Sequence, residues 1–223
     1  MLLLHAFDQI TPPRSSVCTI GAFDGVHRGH QQLIRACIAE ARERQCQSVV
    51  ITFDPIPRKF FGGPRAKQLT TLAQKAELLR GLGADVLLAL PFNSALMQTP
   101  AETFVSWLHL YAQVVSLWVG TDFALGANRS GDVNFLQAQG AQHGFAVHVF
   151  APLTEADRVV SSTRIRGALA RGDAREAEQL LGRTLLWHTD IAVGATEERA
   201  QTSSNESADG VDDAPMLFPM SDD

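Results

Sequence analysis

No apolar run in the 223-residue sequence reaches the roughly 18 residues needed to cross a bilayer. The opening Met1-Leu2-Leu3-Leu4 lacks a basic flank and stops at His5, so neither a span nor a leader is expected and the chain reads as cytoplasmic, with no membrane partner. Cysteine is scarce: Cys18, Cys37 and Cys46 are odd in number and fall on apolar faces, which excludes a disulfide framework and a four-cysteine zinc site. They are expected to be buried and reduced. There are no internal repeats, and no stripe of Lys and Arg of the kind a dedicated nucleic-acid binder displays. With 45% apolar and 19% charged residues, collagen-like, coiled-coil and wholly disordered readings are also out.

Charge divides the chain. Residues 195–223 hold eight Asp or Glu against the single Arg199, a net of -7, so with -5 for the whole chain the first 194 residues carry +2. A mildly basic body suits a pocket for a small anion such as a nucleotide. The acidic, Ser- and Asp-rich segment 195–223 cannot repay the entropy of ordering and is expected to be a disordered tail, its one apolar cluster being Met216-Leu217-Phe218. Residues 184–194 are read as a linker or one extra strand, leaving 1–183 as the folded domain.

Along that domain short apolar runs alternate with helical patterns. Strands are expected at 17–20, 48–53, 85–90, 114–119 and 145–150. Helices are expected at 30–45, at 72–82, from a Thr99-Pro100-Ala101-Glu102 capping box to about 112, after Asp132, and at 163–170 and 174–181. Nearly continuous apolar strands between helices argue an α/β fold, a Rossmann-like doubly wound parallel sheet of about five strands. Ligands then bind where the winding reverses, so the loops after Ile20, Phe53, Val119 and Phe150 should converge on one crevice.

Two of those loops carry distinctive chemistry. In Gly21-Ala22-Phe23-Asp24-Gly25-Val26-His27-Arg28-Gly29-His30 the glycines let backbone approach a ligand, and the following helix directs its dipole into the same space. His27 and His30, one turn apart, can donate to phosphate oxygens, and an adjacent polyphosphate favours their protonated forms. A plain turn, or a histidine pair on a metal, are the competing readings of this loop. Ser161-Ser162-Thr163-Arg164-Ile165-Arg166 sets hydroxyls at a helix start with two arginines able to neutralise a departing pyrophosphate. Alone it is an ordinary helix cap; paired with the first loop it becomes a second phosphate site.

The pattern G-x-F-D-G-x-H-x-G-H, followed about 130 residues later by S-S-T-x-x-R, resembles the HxGH nucleotidyltransferases, and specifically the FAD synthetase module of the bacterial bifunctional riboflavin kinase and FMN adenylyltransferase family. The likeness spans 15–183 and includes Thr52-Phe53-Asp54-Pro55-Ile56-Pro57, Leu69-Thr70-Thr71, Gly120-Thr121-Asp122-Phe123, Arg129-Gly131-Asp132 and Leu180-Leu181-Gly182-Arg183. It implies transfer of AMP from ATP to FMN, with Mg2+ accompanying ATP, giving FAD and pyrophosphate. His27 and His30 would hold the ATP phosphates and Ser162, Thr163 and Arg166 their β and γ end. Gly21, Phe23, Asp24, Gly25 and Gly29 would shape the adenosine pocket, with Ser161 and Arg164 beside it. Asp122 would lie near the reacting phosphates. Phe53, Pro57, Phe61 and Leu125 would line the flavin side. No metal ligands are assigned.

The sequence departs from the family at Ile56, where a histidine is usual, and at Leu125, where an aromatic is usual. Both fall on the expected flavin side. Only 40 residues follow Arg183, without the kinase's G-R-x-L-G-x-P-T-A-N loop, so riboflavin kinase activity is not expected and FMN would come from a separate riboflavin kinase. A nucleotidyltransferase with another phosphorylated acceptor, and a non-catalytic nucleotide- or flavin-binding remnant, stay open at this point.

Overall fold

Val17, Cys18, Thr19 and Ile20 are all buried, as a strand covered on both faces requires. They lie at the centre of the computed structural model, which describes residues 1–11, 14–62 and 67–185. Residues Met1–Leu185 form one compact unit. The expected acidic tail, and all but the first two residues of the segment 184–194 read as a linker or extra strand, lie outside the described residues.

Six parallel strands make one sheet: β1 (Leu2–Leu4), β2 (Ser16–Ile20), β3 (Gln47–Asp54), β4 (Val86–Pro91), β5 (Val114–Gly120) and β6 (Ala146–Phe150), in the order β1-β4-β3-β2-β5-β6. The five expected strands are all present, and β1 adds a sixth at the edge. Leu2, Leu3 and Leu4 align with Val86, Leu87 and Leu88 as an edge strand, too short to show a period of its own. A small antiparallel hairpin, β7 (Thr154–Glu155) and β8 (Arg158–Val159), stands apart from the sheet.

The helices are α1 (Arg28–Glu43), α2 (Pro57–Gly62), α3 (Leu72–Leu82), α4 (Ser94–Gln98), α5 (Ala101–Leu110), α6 (Val133–His143), α7 (Ser162–Ala170) and α8 (Ala174–Leu181). Side chains alternate along each strand, so Val49, Ile51, Val86 and Leu88 pack with Phe104, Leu108 and Leu136 of α5 and α6. Val50 and Leu87 pack on the other face with Ile34, Ile38 and Leu79 of α1 and α3. Helices α7 and α8 enclose a separate small core around Ile165, Ala168, Ala177 and Leu180. Among the described residues no helix is long and apolar enough to cross a membrane.

Two helix starts differ from expectation. Helix α1 begins at Arg28 rather than His30, because the His27 side chain accepts the His30 amide and serves as N-cap. The Thr99–Glu102 capping box does not form: Pro100 is the N-cap of α5 with no side-chain cap bond, and the Thr99 hydroxyl donates to the Ala95 carbonyl at 3.0 Å, closing α4 instead. Cys18 and Cys37 are buried free thiols and Cys46 is partly exposed.

From β2 the winding runs to β3 and β4 on one side and to β5 and β6 on the other. The switch therefore falls between β2 and β5, and the loops leaving Ile20 and Gly120 border a crevice there.

Candidate active site

An open cleft of about 700 Å³ occupies this crevice. Gly21, Phe23 and His27 from the loop after β2 and Gly29 and His30 from the first turn of α1 line it together with Phe53, Pro57, Gly120, Thr121, Asp122, Arg129, Leu153 and Val160, and with Ser161, Ser162 and Thr163. A second cavity of about 450 Å³ shares Thr121, Asp122 and Arg129 with it and continues past Asp132 and Asn134. The volume is within the few hundred to one thousand Å³ of small-molecule sites.

The loop that carries the histidines is unusual in its backbone. Phe23, Gly25 and Val26 have φ of 45°, 81° and 41°, and two of the three are not glycine. Glycine at 21 suits the close packing here, since a Cβ would meet the Phe23 ring at 3.0 Å and the ring would have to shift. The result stacks the His27 and His30 rings with centroids 3.5 Å apart and sets Phe23 edge-on to His30 at 5.2 Å. His27 Nδ1 accepts the His30 amide at 3.3 Å, so its proton sits on Nε2. Burial, followed by the charge of Arg183, pushes the His27 imidazole down to about 4. Burial, then His27 and Lys75, push His30 well below its ordinary value. Before a polyphosphate adds its negative field, both rings are thus neutral at pH 7, each able to donate through one N–H.

The sequence pattern places Asp24 in the adenosine pocket, but its carboxylate is 3% exposed and turned into the protein. One oxygen accepts the amides of Leu69 and Thr70 at 2.8 and 3.2 Å, and the other accepts Arg166 Nη1 at 2.7 Å. Its backbone carbonyl accepts the Ser162 hydroxyl at 2.8 Å. Asp24 therefore joins the first phosphate motif to the second. Burial outweighs these partners and raises its carboxyl above the ordinary range.

The second motif begins α7, with the Ser161 hydroxyl accepting the Arg164 amide as N-cap. Arg164 faces away from the cleft, its Nε on Glu176 at 2.8 Å and Nη1 on the carbonyls of Glu155 and Arg158. Of the expected flavin-side residues, Phe53 and Pro57 line the cleft. Phe61 is 68% exposed and forms an edge-to-face cluster with Phe60 and Phe92, beside Phe53. Leu125 is buried in the core, paired to Gly131, and Ile56 is buried as well. The two departures from the family pattern therefore lie outside the cleft wall.

Lys75 is a participant that the sequence pattern does not announce. It is 1% exposed, and its Nζ donates to the Ala22 carbonyl at 2.7 Å and to the Thr52 hydroxyl at 2.9 Å, bracing the histidine loop against β3. Burial brings its ammonium down to about 8, with Asp24 and Asp54 pulling the other way. Arg129, which donates to the Asp122 carbonyl at 2.8 Å, adds a cation to the far wall. Neutral donors, a helix N-terminus, hydroxyls and aromatic surface in one cleft are chemistry that could receive a polyphosphate beside a planar ring system.

Comparison with known proteins gives the family. Residues 9–164 match the family model described as FAD synthetase. The bifunctional riboflavin kinase/FMN adenylyltransferase of Pseudomonas fluorescens is 41% identical over 186 residues, 82% of this chain and 60% of that one. Its Escherichia coli K12 counterpart is 37% identical over 181 residues, 80% of this chain and 58% of that one. The chain thus spans about three fifths of the length of these curated relatives. A shorter relative from Geobacillus thermodenitrificans, provisionally assigned the same name, is 35% identical over 182 residues, 80% of this chain and 96% of that one. Among solved structures, one described as a macrolide-efflux protein from Streptococcus pneumoniae superposes with a TM-score of 0.72 at 27% identity, covering 82% of this chain and 60% of that one. Pantothenate synthetase from Thermus thermophilus, with a TM-score of 0.51 at 16% identity over 82% of this chain and 81% of that one, shares the fold. The matched region is homologous to the FMN adenylyltransferase part of the bifunctional enzymes, and the chain belongs to the FAD synthetase family.

Proposed function

We propose that the protein is an FMN adenylyltransferase that joins ATP and FMN to give FAD and pyrophosphate. An oxygen of the FMN phosphate attacks the α-phosphorus of ATP, one P–O bond forms, the bond to the β-phosphate oxygen breaks, and pyrophosphate leaves. The FMN phosphate is already an anion at neutral pH, so no general base and no covalent intermediate are needed; alignment and charge stabilisation suffice. The observation that carries the reading is the convergence of His27 and His30 with Ser161, Ser162 and Thr163 on one cleft.

In this reading the Nε2–H of His27, together with His30, binds the ATP phosphates, the Thr163 hydroxyl and, once turned from the Asp24 carbonyl, that of Ser162 meet their β and γ end, and Gly21, Phe23 and Gly29 border the nucleoside. Arg166 stiffens that end through Asp24. Phe53, Pro57 and the Asp122 segment receive the flavin. Among the described residues there is no group of three or more His, Cys, Asp or Glu placed to hold a metal ion, and no protein ligand is assigned to magnesium. Magnesium enters on ATP, as part of the substrate. The reaction belongs in the cytoplasm, where ATP is at hand, with FMN supplied by a separate riboflavin kinase.

Incubation with ATP, magnesium and FMN should yield FAD and pyrophosphate in equal amounts. No FAD above a protein-free control, where a bifunctional homologue is active, would refute the proposal. Nicotinamide mononucleotide, phosphopantetheine and glycerol 3-phosphate belong in the same assay, and a clear preference for one of them would assign a different acceptor.

A further inference from the structure

The histidine loop is gripped from a part of the chain outside both phosphate motifs and beyond residue 164, where the family match ends. Arg183 follows α8, and its guanidinium donates Nη2 to the Gly25 carbonyl at 2.6 Å and Nη1 to the Val26 carbonyl at 3.1 Å. These are the two residues immediately before His27, and both have positive φ. Gln31 adds a second tie, its Nε2 donating to the carbonyls of Val26 and Leu181 at 2.9 and 2.8 Å. The turn that delivers Arg183 is itself tightly seated: Gly182 has φ of 69°, and a Cβ there would meet Arg28 Cγ at 2.8 Å.

A backbone held in sparsely populated conformations persists only where its surroundings over-determine it. Here the peptide groups of Gly25 and Val26 are fixed by a planar cation whose two parallel donors match two successive carbonyls, a fit that a lysine ammonium cannot reproduce. The same guanidinium stands close enough to His27 to oppose its protonation, so the ring that donates through Nε2 is held in both place and charge.

We propose that Arg183 is a positioning residue for nucleotide binding: by clamping the Gly25 and Val26 carbonyls it sets the loop that presents His27 to the phosphates. The inference rests on the reading that this loop binds the phosphates of ATP. It predicts a selective defect, because the clamp touches the nucleotide side of the cleft and leaves Phe53 and Pro57 untouched.

The test compares wild type with Arg183→Ala, Arg183→Gln and Arg183→Lys, measuring ATP affinity by calorimetry, KM for ATP and for FMN, and thermal melting. Arg183→Ala should weaken ATP binding about tenfold, which is about 1.4 kcal/mol, while KM for FMN stays within about twofold. Arg183→Lys keeps the charge but not the fork, and should remain at least about threefold weaker than wild type for ATP. ATP affinity within about twofold of wild type in Arg183→Ala would overturn the proposal, as would equal weakening for ATP and FMN that follows a fall in melting temperature. If Arg183→Ala does not fold, Arg183→Gln and Arg183→Lys decide by the same criteria. The calorimetry stands without turnover, so a wild type that binds ATP but forms no FAD would count against the assigned reaction and not against the clamp.

Discussion

Replacing Lys75 with methionine separates what the fold needs from what the site needs. The stem of the side chain is retained and the charge removed. Burial lowers the ammonium from its ordinary 10.5 to about 8, so at neutral pH the folded protein holds roughly 3 kcal/mol against the charged form. The Ala22 carbonyl keeps a donor after the substitution, because the Thr52 hydroxyl already reaches it at 3.1 Å. Lys75→Met should therefore change stability at pH 7 by less than about 1 kcal/mol, far below the usual cost of removing a buried hydrogen-bonded cation. Alkaline pH exposes the penalty. Between pH 8 and 10.5 the unfolded chain binds more protons at this position than the folded one, so wild type gains stability relative to the variant as pH rises through that window, by about 2 to 3 kcal/mol at pH 10. Urea unfolding followed by circular dichroism at pH 7, 9 and 10 measures the gap. A gap that stays flat, or a loss above about 3 kcal/mol at pH 7, would refute the reasoning. The functional cost should appear separately as a raised KM for ATP, since the histidine loop is then tied to β3 by the Thr52 hydroxyl alone.

His27→Ala should lower turnover about 30-fold to 1000-fold, the worth of a donor to developing charge, while the lost helix cap costs about 1 kcal/mol in a thermal melt; activity within about twofold of wild type would dissociate the loop from the phosphates. Asp24→Asn leaves Arg166 without its buried partner and should cost about 3 kcal/mol, or a fall of about 6 to 12 °C in Tm by calorimetry, and a shift under about 2 °C, on the order of half a kcal/mol, would show that the pair is not a structural joint. His27 and His30 are both lowered by burial, so from pH 6.5 down to about 4 protons bind the unfolded chain preferentially and stability falls with falling pH; His27→Gln should remove up to about 3 kcal/mol of that acid loss in denaturant titrations.

The sheet is legible in the sequence because β2 to β5 are apolar and buried on both faces, and their helices end on glycines in the left-handed conformation, at Gly83 and Gly144 for α3 and α6. Strand β1 is not, since three leucines carry no periodicity and pair only through β4. The start of α1 is easily misplaced because histidine is an uncommon N-cap. The phosphate motifs are legible as local strings, whereas Lys75 and the clamp made by Arg183 are not. A lysine in α3 and an arginine after α8 look solvated in one dimension, and only the packing of α3 against α1 and the return of the chain from α8 bring them beneath the same loop. Asp24 shows the reverse error: its place inside a motif suggests contact with ligand, while its carboxylate is consumed by Leu69, Thr70 and Arg166.

The small core that α7 and α8 enclose is expected to give the domain two tiers of cooperativity. Ile165, Ala168, Ala177, Leu180 and their neighbours form a cluster distinct from those on the two faces of the sheet, and Ser162 and Arg166 of α7, Arg183 after α8 and the Gln31 bridge to the Leu181 carbonyl tie this helical pair to the histidine loop through polar contacts. Sub-global opening draws on regions with few buried apolar contacts, so the pair can detach at a free energy below that of global unfolding. Native-state hydrogen exchange should find the α7 and α8 amides exchanging as a unit, ahead of those in β2 and β3. If the pair exchanges in this way, the wall of the cleft that carries Ser161, Ser162 and Thr163 is held to a lower stability than the sheet beside it.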